Sequence, residues 1–202
     1  MSAILTYALH YEGEFNKNSL GAVSEAAKLA KELGGEAAAV VVGDGEDLTD
    51  DLCATLGKYG AAKVYRAKAP DGLAQPVVDV MAKVIQDEGY KYALFGGGLL
   101  GFEIGAGLTA RLNAGVTMEV TEVKVQDGKL VAERPILQDS KISVSSYQGD
   151  LGIIIGRINA FEIVEGDGGS AEIVDVEIEY SPWSNQAKMV QRGEQRGADV
   201  DI

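Results

Sequence analysis

The stretch YALFGGGLLGFEIGAGLTARL, from Tyr92 to Leu112, decides how the chain is read. It opens on a short apolar run, turns through three glycines, and continues with Ile104, Leu108 and Leu112 at helical spacing. That pattern predicts a buried strand, a glycine turn and a helix rich in small residues. Two functions fit it. Gly96-x-Gly98-x-x-Gly101, after a strand and before a helix, has the spacing that cradles a dinucleotide pyrophosphate. Glu119 lies about 18 residues beyond Gly101, near where a ribose-binding acid would sit. Against this, such a fingerprint belongs on the first strand of its unit, and here three strand–helix pairs come first. Gly105, Ala106, Gly107 and Ala110 also carry the small-residue run well past any phosphate. Close packing of the helix against a sheet or another subunit explains all of these residues together.

Upstream, the chain alternates between two periodicities. Ile4 to Leu9, Ala37 to Val42 and Lys63 to Ala67 are apolar runs of the kind found in strands buried on both faces. Three helical stripes separate these runs from one another and from Tyr92. The first is Leu20, Val23, Ala27, Ala30 and Leu33, closed by Gly34-Gly35, and the second is Leu48, Leu52, Leu56 and Tyr59, closed by Gly60. The third, Val77, Val80, Met81, Val84 and Ile85, has Pro76 near its first turn, where a missing N–H costs little. The fold class is α/β: a parallel sheet flanked by helices, a Rossmann-like three-layer sandwich close to the adenine-nucleotide-hydrolase type.

After Gly115 only strands are expected, as an added antiparallel β segment. Val116 to Val125 and Lys129 to Arg134 flank Asp127-Gly128, a two-residue hairpin signal. Ile142 to Tyr147 and Leu151 to Ile158 flank Gln148-Gly149-Asp150, read as a second hairpin. Gly166 to Ser170 is read as a flexible turn into an acidic strand from Ala171 to Tyr180. Periodicity then fades. Residues 1–180 form the expected domain, its β extension starting near 116, and 181–202 form a linker or tail.

Composition narrows the function. A net charge of -13 argues against nucleic acid, which requires a basic stripe, and the acids gather after Glu162. No apolar run approaches the roughly 18 residues of a membrane span. Strand-like sequence from Ala3 leaves no space for a leader, and the single cysteine, Cys53, suits a reducing compartment, so a cytoplasmic location is expected. One histidine, His10, and one cysteine cannot supply a nitrogen–sulfur metal site. His10 reads as a loop residue and Cys53 as a packed thiol. Asp44, Glu46, Asp47, Asp50 and Asp51 complement the dipole at the start of the second helix. No nucleophile–base pair stands out, so no catalytic residue is expected in this chain.

Several segments, in order, resemble the alpha subunit of electron transfer flavoproteins. They are the opening strand with His10-x-x-Gly13, the small-residue stretch Ser24 to Ala30, and Tyr59-Gly60-Ala61-Ala62-Lys63-Val64-Tyr65. Leu94-Phe95-Gly96, Gly101 and Leu108-Thr109-Ala110-Arg111-Leu112 are similar to the family's strand–glycine–helix signature. Arg134-Pro135-Ile136 and the stretch Arg157 to Phe161 complete the set, which spans residues 3 to 161. The resemblance implies an N-terminal scaffold and docking domain within a heterodimer. FAD would sit in a separate C-terminal domain, with none tightly bound by this chain alone. A beta subunit would be the partner, and acyl-CoA or other dehydrogenases would deliver electrons through the complex.

In that setting Gly105, Gly107, Arg111, Arg134 and Arg157 are candidate interface or packing residues, and no metal is expected. The sequence departs from the family in two places. Leu137-Gln138-Asp139-Ser140 replaces an aromatic residue, glycines and an asparagine after Arg-Pro, and the flavin-binding turns are not in these 202 residues. The stretch from Ser181 then reads as the connector to that flavin domain, in a shortened piece or a naturally short form. The rival reading is a stand-alone adenine-nucleotide-binding module, with phosphates at Gly96, Gly98 and Gly101 and adenine near Thr6 to Leu9. An NAD-dependent enzyme using His10 ranks behind both.

Overall fold

In the computed structural model residues 2–191 are described, apart from Asp47, Asp71, Asp167 and Gly168. The first half alternates strands and helices as the apolar periods predict: β1 (Ser2–Tyr7), a small hairpin of β2 (His10–Tyr11) and β3 (Glu14–Phe15), α1 (Lys17–Glu32), β4 (Glu36–Val42) and α2 (Asp50–Ala54). There follow β5 (Lys63–Ala67), α3 (Ala74–Glu88), β6 (Tyr92–Phe95) and α4 (Leu99–Leu112). The second half holds β7 (Gly115–Val120), β8 (Glu122–Gln126), β9 (Lys129–Ile136), β10 (Lys141–Ser146), β11 (Gly152–Gly156) and β12 (Glu172–Asp175).

Seven strands pair in the order β12-β5-β4-β1-β6-β11-β7, every pair parallel. Side chains alternate between the faces, so β1 sends Leu5 to one core and Ile4 to the other. α3 and α4 cover the first face through Val77, Val80, Met81, Ile104 and Leu108. α1 covers the second through Ala22, Ala26 and Leu29. Asn16 caps α1 by accepting the Asn18 amide (2.9 Å).

The three-stranded sheet β10-β9-β8 is an added antiparallel segment that starts at Glu122 and not near 116: the expected strand Val116 to Val125 is split, and its first part, β7, joins the main sheet parallel to β11. Its β8–β9 turn is Asp127-Gly128, both at positive φ, the requirement of the hairpin turn its sequence signals. Val123, Leu130 and Ala132 join the α1 core, so this sheet stands where a crossover helix between β7 and β11 would otherwise pack.

Three further expectations are corrected. Gln148-Gly149-Asp150 does not close a hairpin. β10 pairs with β9, while β11 enters the main sheet parallel to β6 and β7. All five residues of β11 are buried, because Ile153, Ile154 and Ile155 serve both cores and only an interior parallel position can cover them. The second helix is not continuous. α2 passes into a 3-10 turn over Thr55–Tyr59, where the Ala54 carbonyl accepts the Ala171 amide (3.2 Å). The strand expected to run from Ala171 to Tyr180 is β12 alone, and the chain beyond it is extended along α3. Of the acids expected at the second helix, Asp50 and Asp51 occupy the first turn of α2, and Asp47 lies outside the described residues.

Cys53 is fully buried. Burial pushes its thiol up, and the nearby Arg66 guanidinium only partly offsets this. Since the thiolate is the reactive form, alkylation of Cys53 should be suppressed in the native protein and should rise along the denaturant unfolding curve. A native-state rate within about tenfold of free cysteine would contradict this burial.

Candidate functional site

The sheet order changes direction at β1, which has β4 on one side and β6 on the other, and ligands of open α/β sheets gather at such a point. The Gly96–Gly98 turn sits there, between β6 and α4. A Cβ on Gly96 would lie 2.2 Å from the Asn18 carbonyl oxygen, and one on Gly97 would lie 2.3 Å from the Ile158 amide nitrogen. Both obstacles are backbone. They are tied together, since the Asn159 amide donates to Asn18 Oδ1 (2.7 Å).

A Cβ on Gly101 would meet the Gly96 carbonyl at 2.9 Å, whereas Gly98 faces open space. The cavity left beside Asn16, Asn18 and Leu99 is about 110 Å³, well short of the roughly 300–1,000 Å³ of ordinary ligand pockets. The space that a Cβ would take at Gly96 and Gly97 is therefore filled by the protein's own backbone, and little room is left beside the turn. Further along α4, a Cβ on Gly105 would come within 2.5 Å of Ile155 Cδ1 in β11, and one on Gly107 within 2.7 Å of Val78 Cγ2 in α3.

The other nucleotide-site candidates are engaged inside the domain. Glu119, the ribose-acid candidate, is in edge strand β7, where its Oε2 accepts from Arg157 Nε (3.2 Å). Near the proposed adenine position, Thr6 Oγ1 donates to the Ala38 carbonyl (3.3 Å) and the Leu9 amide to Ser19 Oγ (3.1 Å). His10 is not a loop residue: it begins the β2–β3 hairpin, is buried, and has Nε2 3.3 Å from the Val42 carbonyl. Among the described residues, no group of histidine, cysteine or acidic side chains is placed to hold a metal ion. Among the same residues, no helix is long and apolar enough to cross a membrane.

The three arginines separate. Arg157 links Glu119 to Asp139 Oδ1 (3.2 Å), joining the end of β11 to β7 and to the β9–β10 turn. That turn carries Leu137, Gln138 and Asp139, all at positive φ, a backbone region that favours glycine. Arg134 lies in β9 opposite Ser143, with its Nε buried. Arg111, in the last turn of α4, pairs with Asp79 of α3, and its guanidinium lies 5.6 Å from the centre of the Trp183 ring.

Sequence reasoning missed Asp79, although an acid beside the apolar stripe Val77, Val80 and Met81 was a signal. It also missed an exposed apolar edge. Ile142 and Val144 project from one side of β10, each about 60% exposed, near Leu137 in the preceding turn. β10 is an outer strand of its sheet, and Val116 and Met118 are exposed on β7, an outer strand of the main sheet.

A three-layer α/β domain with a packed glycine crossover and an antiparallel insertion defines the class. The sequence profile described as "Electron transfer flavoprotein domain" matches residues 4–180. Over 98% of its length the chain is 28% identical to "Protein FixB" of Clostridium saccharobutylicum, and over 95% it is 32% identical to "Electron transfer flavoprotein subunit alpha" of Mycobacterium leprae. A subunit alpha of Clostridium acetobutylicum is 33% identical over 65% of the chain and 40% of its own length. This chain belongs to the electron transfer flavoprotein family, and these relatives are of the alpha or FixB type. It spans about three fifths of the first two, 60% and 58% of their lengths.

The glycine contacts carry a stability prediction. Gly97→Ala should lower unfolding free energy by about 1–3 kcal/mol, the usual range for overpacking, because its obstacle is backbone. Gly105→Leu and Gly107→Leu should cost at least as much in denaturant titrations. Wild-type stability for all three would contradict the packing described above.

Proposed function

We propose that this chain is the N-terminal scaffold and subunit-docking domain of an alpha-type electron transfer flavoprotein subunit. In the assembled heterodimer, FAD shuttles electrons from acyl-CoA or other dehydrogenases, and the flavin is held outside residues 1–202. The domain contributes the surface on which the partner and the flavin-carrying part are arranged; the redox chemistry belongs to the cofactor. Residues 1–180 are the working domain, and 181–202 lead toward the flavin-binding part.

The observation that carries the docking role is the exposed apolar edge at β10. Ile142, Val144 and Leu137 are exposed on or beside β10, an outer strand of its sheet among the described residues, and such a surface is one a monomer has reason to cover. Family membership supports the carrier role, and the printed name "subunit alpha" of the relatives supports a second subunit. The filling of the glycine turn by Asn18 and Ile158 supports a flavin site elsewhere.

Ile142→Lys with Val144→Lys tests the reading. Both side chains are already exposed, so thermal unfolding should stay close to wild type. Co-purification with the cognate beta-type subunit should fall at least about tenfold, the effect of roughly 1.4 kcal/mol at an interface. Undiminished recovery of the complex from the folded double variant would overturn docking at this edge.

A further inference from the structure

Asp79 is the buried carboxylate of α3, with 3% of its side chain exposed. A single ion pair with Arg111 would satisfy the charge but not the acceptor capacity of two carboxylate oxygens. The remaining capacity is met from far along the chain. Asp79 Oδ2 accepts the Ser181 amide (2.8 Å), the Ser181 hydroxyl (2.8 Å) and the Ser184 hydroxyl (2.6 Å). Ser181 Oγ and Ser184 Oγ lie 2.9 Å from each other. Burial alone would push the Asp79 carboxyl up, but the bonds from Ser184, Arg111 and Ser181 outweigh it and hold the group below its ordinary value.

The segment making these bonds is prepared for them. Val176 and Ile178 pack on the α3 side of the core, and the Tyr180 hydroxyl donates to the Lys68 carbonyl (2.7 Å). Pro182 opens a 3-10 turn over Pro182–Asn185, which brings Ser184 back to face Asp79 and sets Trp183 against the Arg111 guanidinium. Ser184 is buried, while Trp183 remains half exposed. Little apolar area therefore holds this turn down, and the polar bonds to one carboxylate do most of the fastening.

We propose that Asp79 and Arg111 form an internal receptor for the Ser181–Ser184 turn, a latch that fixes where the chain leaves the α/β domain. The chain is then anchored to the domain as far as Asn185 and not only to the end of β12. The latch is a property of these residues alone and stands whether or not β10 docks a partner. It is also separable from the fold, because opening it exposes one carboxylate and one turn while both cores stay closed.

Hydrogen exchange measured by mass spectrometry on the full chain tests it, with Trp183, the single tryptophan, as a second reporter. In Ser181→Ala with Ser184→Ala, which leaves Asp79 paired to Arg111, exchange in the peptide covering residues 181–186 should rise about tenfold or more. Acrylamide quenching of Trp183 should rise with it, and exchange in α3 and β6 should not change. Asp79→Asn should loosen the same peptide. Unchanged exchange there in the double variant, or unprotected exchange already in the wild type, would overturn the latch. So would loosening of the peptide only together with α3 and β6.

Discussion

Everything in this domain is arranged around one close approach, that of the turn after β6 to the backbone of α1 and to the chain leaving β11. Two peptide backbones can come this near only where a residue has no Cβ, and Gly96 and Gly97 provide that on the two sides of this turn. The consequence spreads through the fold. With the turn seated on Asn18 and Ile158, α4 descends along β11, and Gly105 lets it lie against Ile155. Gly107 brings α3 in against α4 through Val78, which sets Arg111 beside Asp79. A crossover that binds phosphates in other sheets is used here to lock three layers together.

Much of this architecture could be read from the residues. The apolar runs of β1, β4, β5 and β6 are covered on both faces, and their lack of alternation announced parallel strands. Asp127-Gly128 fixed its hairpin because only a left-handed turn suits that spacing. β11 was misplaced for a physical reason. Local turn signals at Gln148 to Asp150 describe where a chain bends, not which strand it next meets, and a parallel pairing with β6 is decided by contacts some 60 residues apart in sequence. Three consecutive isoleucines were the better guide. The break after α2 was equally non-local, since the Ala54 carbonyl is claimed by Ala171.

The candidate site was legible in part. The small residues of α4 pointed to close contact, but not to the identity of the contacting atoms, which come from α1, β11 and α3. Arg111, Arg134 and Arg157 were picked out by resemblance and turn out to serve different places. The partner of Arg111 was passed over because Asp79 sits beside the apolar stripe of α3, where an acid reads as an exposed neighbour of the core. Ser181 to Asn185 read as part of a fading tail because the contacts of this turn go to Asp79, far back in the chain, and show in no periodicity of its own. Ile142 and Val144 escaped notice because alternation within a strand does not tell which of its faces is covered.

The proposed scaffold role and the packed glycine turn share one requirement, that nucleotide has no seat at the switch point. Calorimetric titration of the 202-residue chain with FAD and with AMP measures this directly. With the backbone of Asn18 and Ile158 occupying the hollow, neither ligand should give saturable heat at micromolar concentration. One-to-one binding by the wild-type chain that disappears in Gly97→Ala would contradict the account.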